Sequence, residues 1–307
     1  AGLPVILLYN FEAAVFRSVG ETKIPLIALT ASGVLNVILN LFFVAALHMS
    51  VDGAAIATVL SNAVSAAILW GFLLKTDKVI CLEPKKLRID GLCLKQILRI
   101  GVPAGVQSAM FSIANIVIQG AINSLGTVVM AASSAAYNIE IITYDILNSF
   151  SQACTTFVGQ NYGAGNLKRV KKGTWVTLAM GVLYTLCTGT LLLAFQNPIM
   201  HLFTGDETVI AYGKICMLYF CPFYWMLGIL QGLAGTVRGT GKSVPPMVVL
   251  LISLCLFRIV WIQFALPLFA GIEGVLLVYP VSWAVGAVLM VLYAWKGKWM
   301  QLPEAIS

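Results

Sequence analysis

Glu140, Tyr144, Asn148 and Gln152 recur every fourth residue inside the apolar run 127–157, so a helix there carries them along one face. Asn138 and Asp145 flank that face. Carboxylates in the middle of so apolar a run cannot point into lipid, so the face must meet a cavity or a partner charge. Arg258, midway along the run 244–270, is the cation available at that depth. It is expected to pair with Glu140 or Asp145, and two chemistries fit. Either the pair is a fixed lock between two helices, or one carboxylate takes up and releases a proton, or binds Na⁺, as the pair rearranges.

A second stripe lies in the run 97–124. Ser108, Ser112, Asn115, Gln119 and Asn123 share one helical face, with Gln107 beside it. Amides and hydroxyls so placed either join neighbouring helices or line a cleft for varied ligands. Asn36, Asn40, Thr58, Ser61, Asn62 and Ser65 form a similar set, read as helix–helix contacts. Glu12 lies shortly before Arg17 and is expected to pair with it or to snorkel. The aromatic residues Tyr137, Tyr144, Phe220, Tyr224, Trp225, Trp261 and Trp283 can stack on flat cations or simply pack. Trp295 and Trp299, beside Lys296 and Lys298, read as an interfacial belt.

Other chemistries find no support in the sequence. The seven cysteines are scattered without CxxC spacing or a histidine cluster, which speaks against a metal site or a disulfide framework. HExxH and Gly-x-Ser-x-Gly are absent, so an enzyme is not expected. Gly163-Ala164-Gly165 lacks the strand and the Lys-Ser/Thr pair of a nucleotide loop. It reads as a turn into the basic run Lys168–Lys172, taken as the start of an interfacial helix.

The elements that must hold these groups are apolar spans. Nine are expected, at 1–16, 24–48, 51–74, 97–124, 127–157, 173–196, 208–237, 244–270 and 271–295. Of the 19 Lys and Arg residues, all but Lys214 and Arg258 fall in alternate gaps between spans. Basic loops remain cytoplasmic, so this pattern implies a multi-pass protein of the plasma or inner membrane with a cytoplasmic C-terminus. Charged residues make up only 10% of the chain and mean hydropathy is +0.93, which is membrane rather than soluble composition. The net charge of +7 then reflects loop topology and anionic lipid, not nucleic acid.

An internal repeat organises the spans. A shift of about 221 positions lays Arg17-x-x-Gly20-x-Thr22-x-x-Pro25 on Arg238-x-x-Gly241-x-Ser243-x-x-Pro246. It also brings Asp52-Gly53 onto Glu273-Gly274, Ser61 onto Ser282 and Lys75 onto Lys296. Repeats of this kind mark many secondary transporters. The expected fold is all-α and polytopic: two six-helix bundles related by an axis along the membrane normal, with nine of the helices in this chain. Residues 1–75 would be the second half of an N-terminal lobe, 76–98 a cytoplasmic connector and 99–307 a C-terminal lobe. Three further helices are expected upstream of Ala1.

Several motifs resemble the multidrug and toxic compound extrusion (MATE) transporters. They are Gly2-Leu3-Pro4, Arg17-Ser18-Val19-Gly20-Glu21-Thr22-Lys23-Ile24-Pro25, Asn36 and Asn40 before Asp52-Gly53, Arg99-x-Gly101-x-Pro103, Val158-Gly159-Gln160-Asn161-Tyr162-Gly163, and Arg238-Gly239-Thr240-Gly241. The resemblance implies two lobes around a cleft and efflux of cationic or neutral amphipathic compounds in exchange for H⁺ or Na⁺. It implies no cofactor beyond the coupling ion, and no nucleotide or nucleic acid partner. A lipid-linked oligosaccharide flippase of the same superfamily is the alternative, though such a cleft should carry several Arg or Lys. In the Na⁺-coupled branch an acid in the seventh helix and another in the tenth would fall near Phe111 and Leu227, and neither position is acidic. Glu140, Asp145 and Arg258 are therefore the coupling candidates, and Gln107, Ser112, Asn115, Gln119, Asn138 and Tyr144 the cleft candidates.

Overall fold

The computed structural model describes residues 2–76, 79–265, 268–269 and 272–301, except the side chain of Lys298. Lys78, Pro267, Gly271 and the tail 302–307 lie outside the described residues. Described residues form helices almost throughout, in two units: residues 1–90 and residues 91–307.

The first unit holds α1 (Leu3–Ser18), α2 (Lys23–Asn40), which continues into a π-helical turn at Leu41–Ala46, and α3 (Val51–Lys75). Ala13, Phe16, Ala28, Leu69 and Leu73 form its core. Ser65 Oγ donates to the Ala28 carbonyl at 3.1 Å, and Asn36 Nδ2 donates to Ser61 Oγ at 3.2 Å. These bonds join α2 to α3 as expected of amides in a bilayer. Thr58 and Asn62 instead bond back to their own helix.

The second unit runs α4 (Gly91–Asn123), α5 (Thr127–Gly163), α6 (Leu167–Ala194), the short α7 (Gln196–His201), α8 (Glu207–Phe220) and α9 (Tyr224–Gly239). It ends with α10 (Val244–Leu250), α11 (Phe257–Val260), α12 (Glu273–Leu276) and α13 (Val278–Trp295). Seven helical stretches among the described residues are long and apolar enough to cross a membrane. Of the nine expected spans, α1 has only 16 residues, and α5 is long but diluted by its polar stripe.

Three local expectations change. The helix resumes at Gly91, so the connector is shorter than 76–98. Lys168–Lys172 is not a separate interfacial helix but the first turns of α6, whose N-terminus Asn166 caps by accepting from the Arg169 N–H at 3.1 Å. Trp299 is buried and donates to the Ala294 carbonyl, while Trp295 is exposed as an interface residue would be.

The repeat is visible in the element bounds. Leu3–Ser18 shifted by 221 positions is Tyr224–Gly239, and Gly20 and Gly241 both turn the chain at φ near 79° and 78°. That left-handed conformation suits glycine, and it ends each helix with the same bond, from the glycine N–H to the carbonyl of Arg17 or Arg238 at 2.9 Å.

Candidate functional site

The α5–α9 contact fixes the helix that bears Glu140. A Cβ on Gly235 would stand 2.5 Å from both the carbonyl oxygen and Oγ of Ser151, and one on Gly239 2.7 Å from Val158 Cβ. Glycine is what lets the two backbones approach this closely. Three hydrogen bonds exploit the approach: Ser151 Oγ to the Gln231 carbonyl at 2.8 Å, Thr155 Oγ1 to the Gly235 carbonyl at 2.9 Å, and Arg238 Nη2 to Ser151 Oγ at 3.0 Å. Further along α5, Gln231 Nε2 donates to Tyr144 Oη at 3.3 Å, and Phe111 of α4 stacks on the Tyr144 ring at 6.2 Å.

Glu140 is 8% exposed, and its Oε2 has no hydrogen-bond partner. No ion pair joins it to Arg258 among the described residues. Arg258, 2% exposed, donates through Nε to Ser282 Oγ at 3.0 Å, and its guanidinium lies 4.7 Å from the centre of the Tyr279 ring. Ser282 and Tyr279 both belong to α13, and together they hold the cation by a hydrogen bond and a cation–π contact. The expected direct pair is thus replaced by a carboxyl group with a free oxygen and a cation anchored elsewhere. Tyr279, over whose ring the Arg258 guanidinium lies, and Tyr137, one turn before Glu140, nonetheless line a common cavity. Asp145 is exposed and plays no part in this cluster.

A cavity of about 220 Å³ lies beside these residues, lined by Asn115 and Gln119 of α4, Ser133 and Tyr137 of α5, and Tyr279 of α13, with Phe220 among its apolar walls. Ser133, Tyr137 and Glu140 share one face of α5, and the first two of them line the cavity. It has room for several waters, with polar groups to hold them.

Of the cleft candidates, Asn115 and Gln119 line this cavity, and Tyr144 sits between α4 and α9. Gln107 is half-buried outside it, and Ser112 and Asn138 are exposed, with Ser112 Oγ donating to the Ser108 carbonyl. Phe111 and Leu227, where the resemblance would place acids, are packing residues, Leu227 fully buried. Sequence reasoning missed Ser282, Tyr279 and Ser133. Ser282 had a signal: its repeat partner Ser61 accepts from Asn36 in the first unit as Ser282 accepts from Arg258 in the second.

Comparison with known proteins accords with this architecture. Residues 103–262 match the MatE family model. The probable multidrug resistance protein NorM of Thermotoga maritima is 28% identical over 258 residues, spanning 80% of this chain and 54% of that protein. A protein described as an FAD transporter, from Shewanella oneidensis, is 27% identical over 293 residues, spanning 92% of this chain and 63% of that protein. The chain thus covers less than two thirds of the length of these relatives. An outward-facing multidrug resistance MATE family transporter of the MOP superfamily shares the fold, with a TM-score of 0.89 at 19% identity over 95% of this chain and 66% of that one. With the family model spanning more than half of its residues, this multi-pass membrane protein belongs to the MATE family.

Proposed function

We propose that the protein is a secondary active transporter that exports cationic or neutral amphipathic compounds in exchange for H⁺ or Na⁺, with Glu140 as the coupling carboxyl group. The observation that carries this reading is the buried Glu140 with an unpartnered oxygen, beside a cavity that can hold water, while Arg258 is retained by Ser282 and Tyr279. A closed Glu–Arg pair would leave no position for an exchangeable cation. A carboxyl group held near a cation but not bonded to it can be neutralised by H⁺ or Na⁺ and discharged again. Asn115, Gln119 and Tyr144 supply neutral donors and acceptors along the same helices. The basic loops support a cytoplasmic C-terminus.

A flippase of anionic lipid-linked sugars draws less support, because among the described residues of the second unit Arg258 is the one buried basic side chain, with Arg238 half-buried. The test is a substrate panel in proteoliposomes containing the full-length protein, under an imposed pH or Na⁺ gradient. Ethidium represents flat cations, FAD follows the relative described as its transporter, and a fluorescent lipid-linked sugar represents the flippase. Gradient-driven movement of ethidium supports the proposal. Movement of the lipid-linked sugar alone, independent of either gradient, overturns it.

A further inference from the structure

Glu12 does not behave as its neighbourhood in the sequence suggests. It is 4% exposed, and neither carboxyl oxygen has a hydrogen-bond partner. Arg17, five residues on, lies about 140° around the helix and forms no ion pair with it among the described residues. α1 turns the face carrying Glu12, Ala13 and Phe16 inward, against a core of Ala28, Leu69 and Leu73.

Tyr9, one turn before Glu12 on α1, packs on the same core and is its titratable neighbour on that helix. The charged groups lie elsewhere, Arg17 on another face of α1. On α2 there is Lys23, exposed at the helix start, and on α3 Asp52 and Lys75, both exposed at its ends. The segment that follows covers the core with Ile80 and Leu82, while its Glu83 and Lys86 pair with each other at 2.6 Å in solvent. An ionised carboxylate without donors is severely penalised in such a site, whereas the neutral acid is tolerated. The repeat removes a packing explanation: the position equivalent to Glu12 is Leu233, a buried aliphatic residue.

From this geometry we infer that Glu12 is a second proton-binding site, in the other unit from Glu140. It carries a proton on one carboxyl oxygen while enclosed. When water reaches it the O–H bond breaks, the proton leaves to water and the carboxylate remains. This goes beyond the role proposed for Glu140 and does not depend on it.

The test is infrared difference spectroscopy of the full-length protein in liposomes, between about pH 5.5 and about pH 8.5, where ordinary exposed carboxylates remain largely ionised. The parent and Glu140→Gln should both show a neutral-acid C=O band that disappears in Glu12→Gln, a loss of one carboxyl group's intensity. Glu12→Asp should shift that band rather than abolish it, which separates loss of the acid from loss of the fold. Superimposable parent and Glu12→Gln spectra would overturn the inference. A Glu140→Gln spectrum identical to the parent's would count against H⁺ as the ion that Glu140 takes up and leave the Glu12 result intact.

Discussion

Replacing Gly235 with alanine tests the packing that positions the Glu140 helix. The new Cβ would stand 2.5 Å from Ser151 O and Oγ, so α5 and α9 must separate locally by roughly 1 Å to restore ordinary contact. The bonds at 2.8, 2.9 and 3.0 Å around Ser151 and Thr155 would then lengthen beyond useful range. Interhelical bonds in membranes contribute about 0.6 kcal/mol each, so about 2 kcal/mol is lost from the three. Overpacking adds about 1 kcal/mol or more, and the better helix propensity of alanine returns up to about 1 kcal/mol. The expected net cost is about 2 kcal/mol. Reversible unfolding in mixed micelles of SDS and mild detergent measures it, with Gly105→Ala as the control, because nothing lies within 4 Å of a Cβ there. Equal stability of the two variants would refute the close approach of α5 and α9.

Three other outcomes follow from the same contacts. Ser282→Ala removes the acceptor of the buried Arg258 Nε and should cost about 1.5–3 kcal/mol in the same unfolding assay. Arg258→Lys should not substitute for arginine, since an ammonium cannot give Ser282 an Nε donor while its charge lies over the Tyr279 ring; loss of transport by at least about tenfold checks this. With a membrane-impermeant maleimide, Cys81 should react only from the cytoplasmic side, and the buried Cys154, Cys216, Cys221 and Cys255 only after unfolding.

The helical frame was legible because bilayer burial demands long apolar runs and the repeat doubles the evidence for each turn. Gly20 and Gly241 could be matched from sequence and share the same backbone conformation. From the spacing of four, Glu140 and Tyr144 do turn inward, whereas Gln152 on the same spacing is exposed. The partner of Arg258 was not, because periodicity tells which way a side chain points but not which helix it meets. Ser282 and Tyr279 lie on another helix, and a hydroxyl and a ring compete for a guanidinium as well as a carboxylate does. Glu12 was misread for a related reason: a basic residue nearby in sequence is no partner when the helix turns it to another face. Where the helix of α4 begins was obscured by Lys95 and Arg99, which resemble a connector but decorate a continuous helix.

The coupling role is proposed for Glu140 above all. It is tested most directly by comparing two fluxes of ethidium in the same proteoliposomes, for the parent and for Glu140→Gln. Glutamine preserves size and hydrogen-bonding capacity but cannot gain or lose charge. Glu140→Gln should still let the dye run down its own gradient, yet fail to concentrate it when a pH or Na⁺ gradient is imposed. Gradient-driven accumulation equal to the parent's would contradict a coupling role for Glu140.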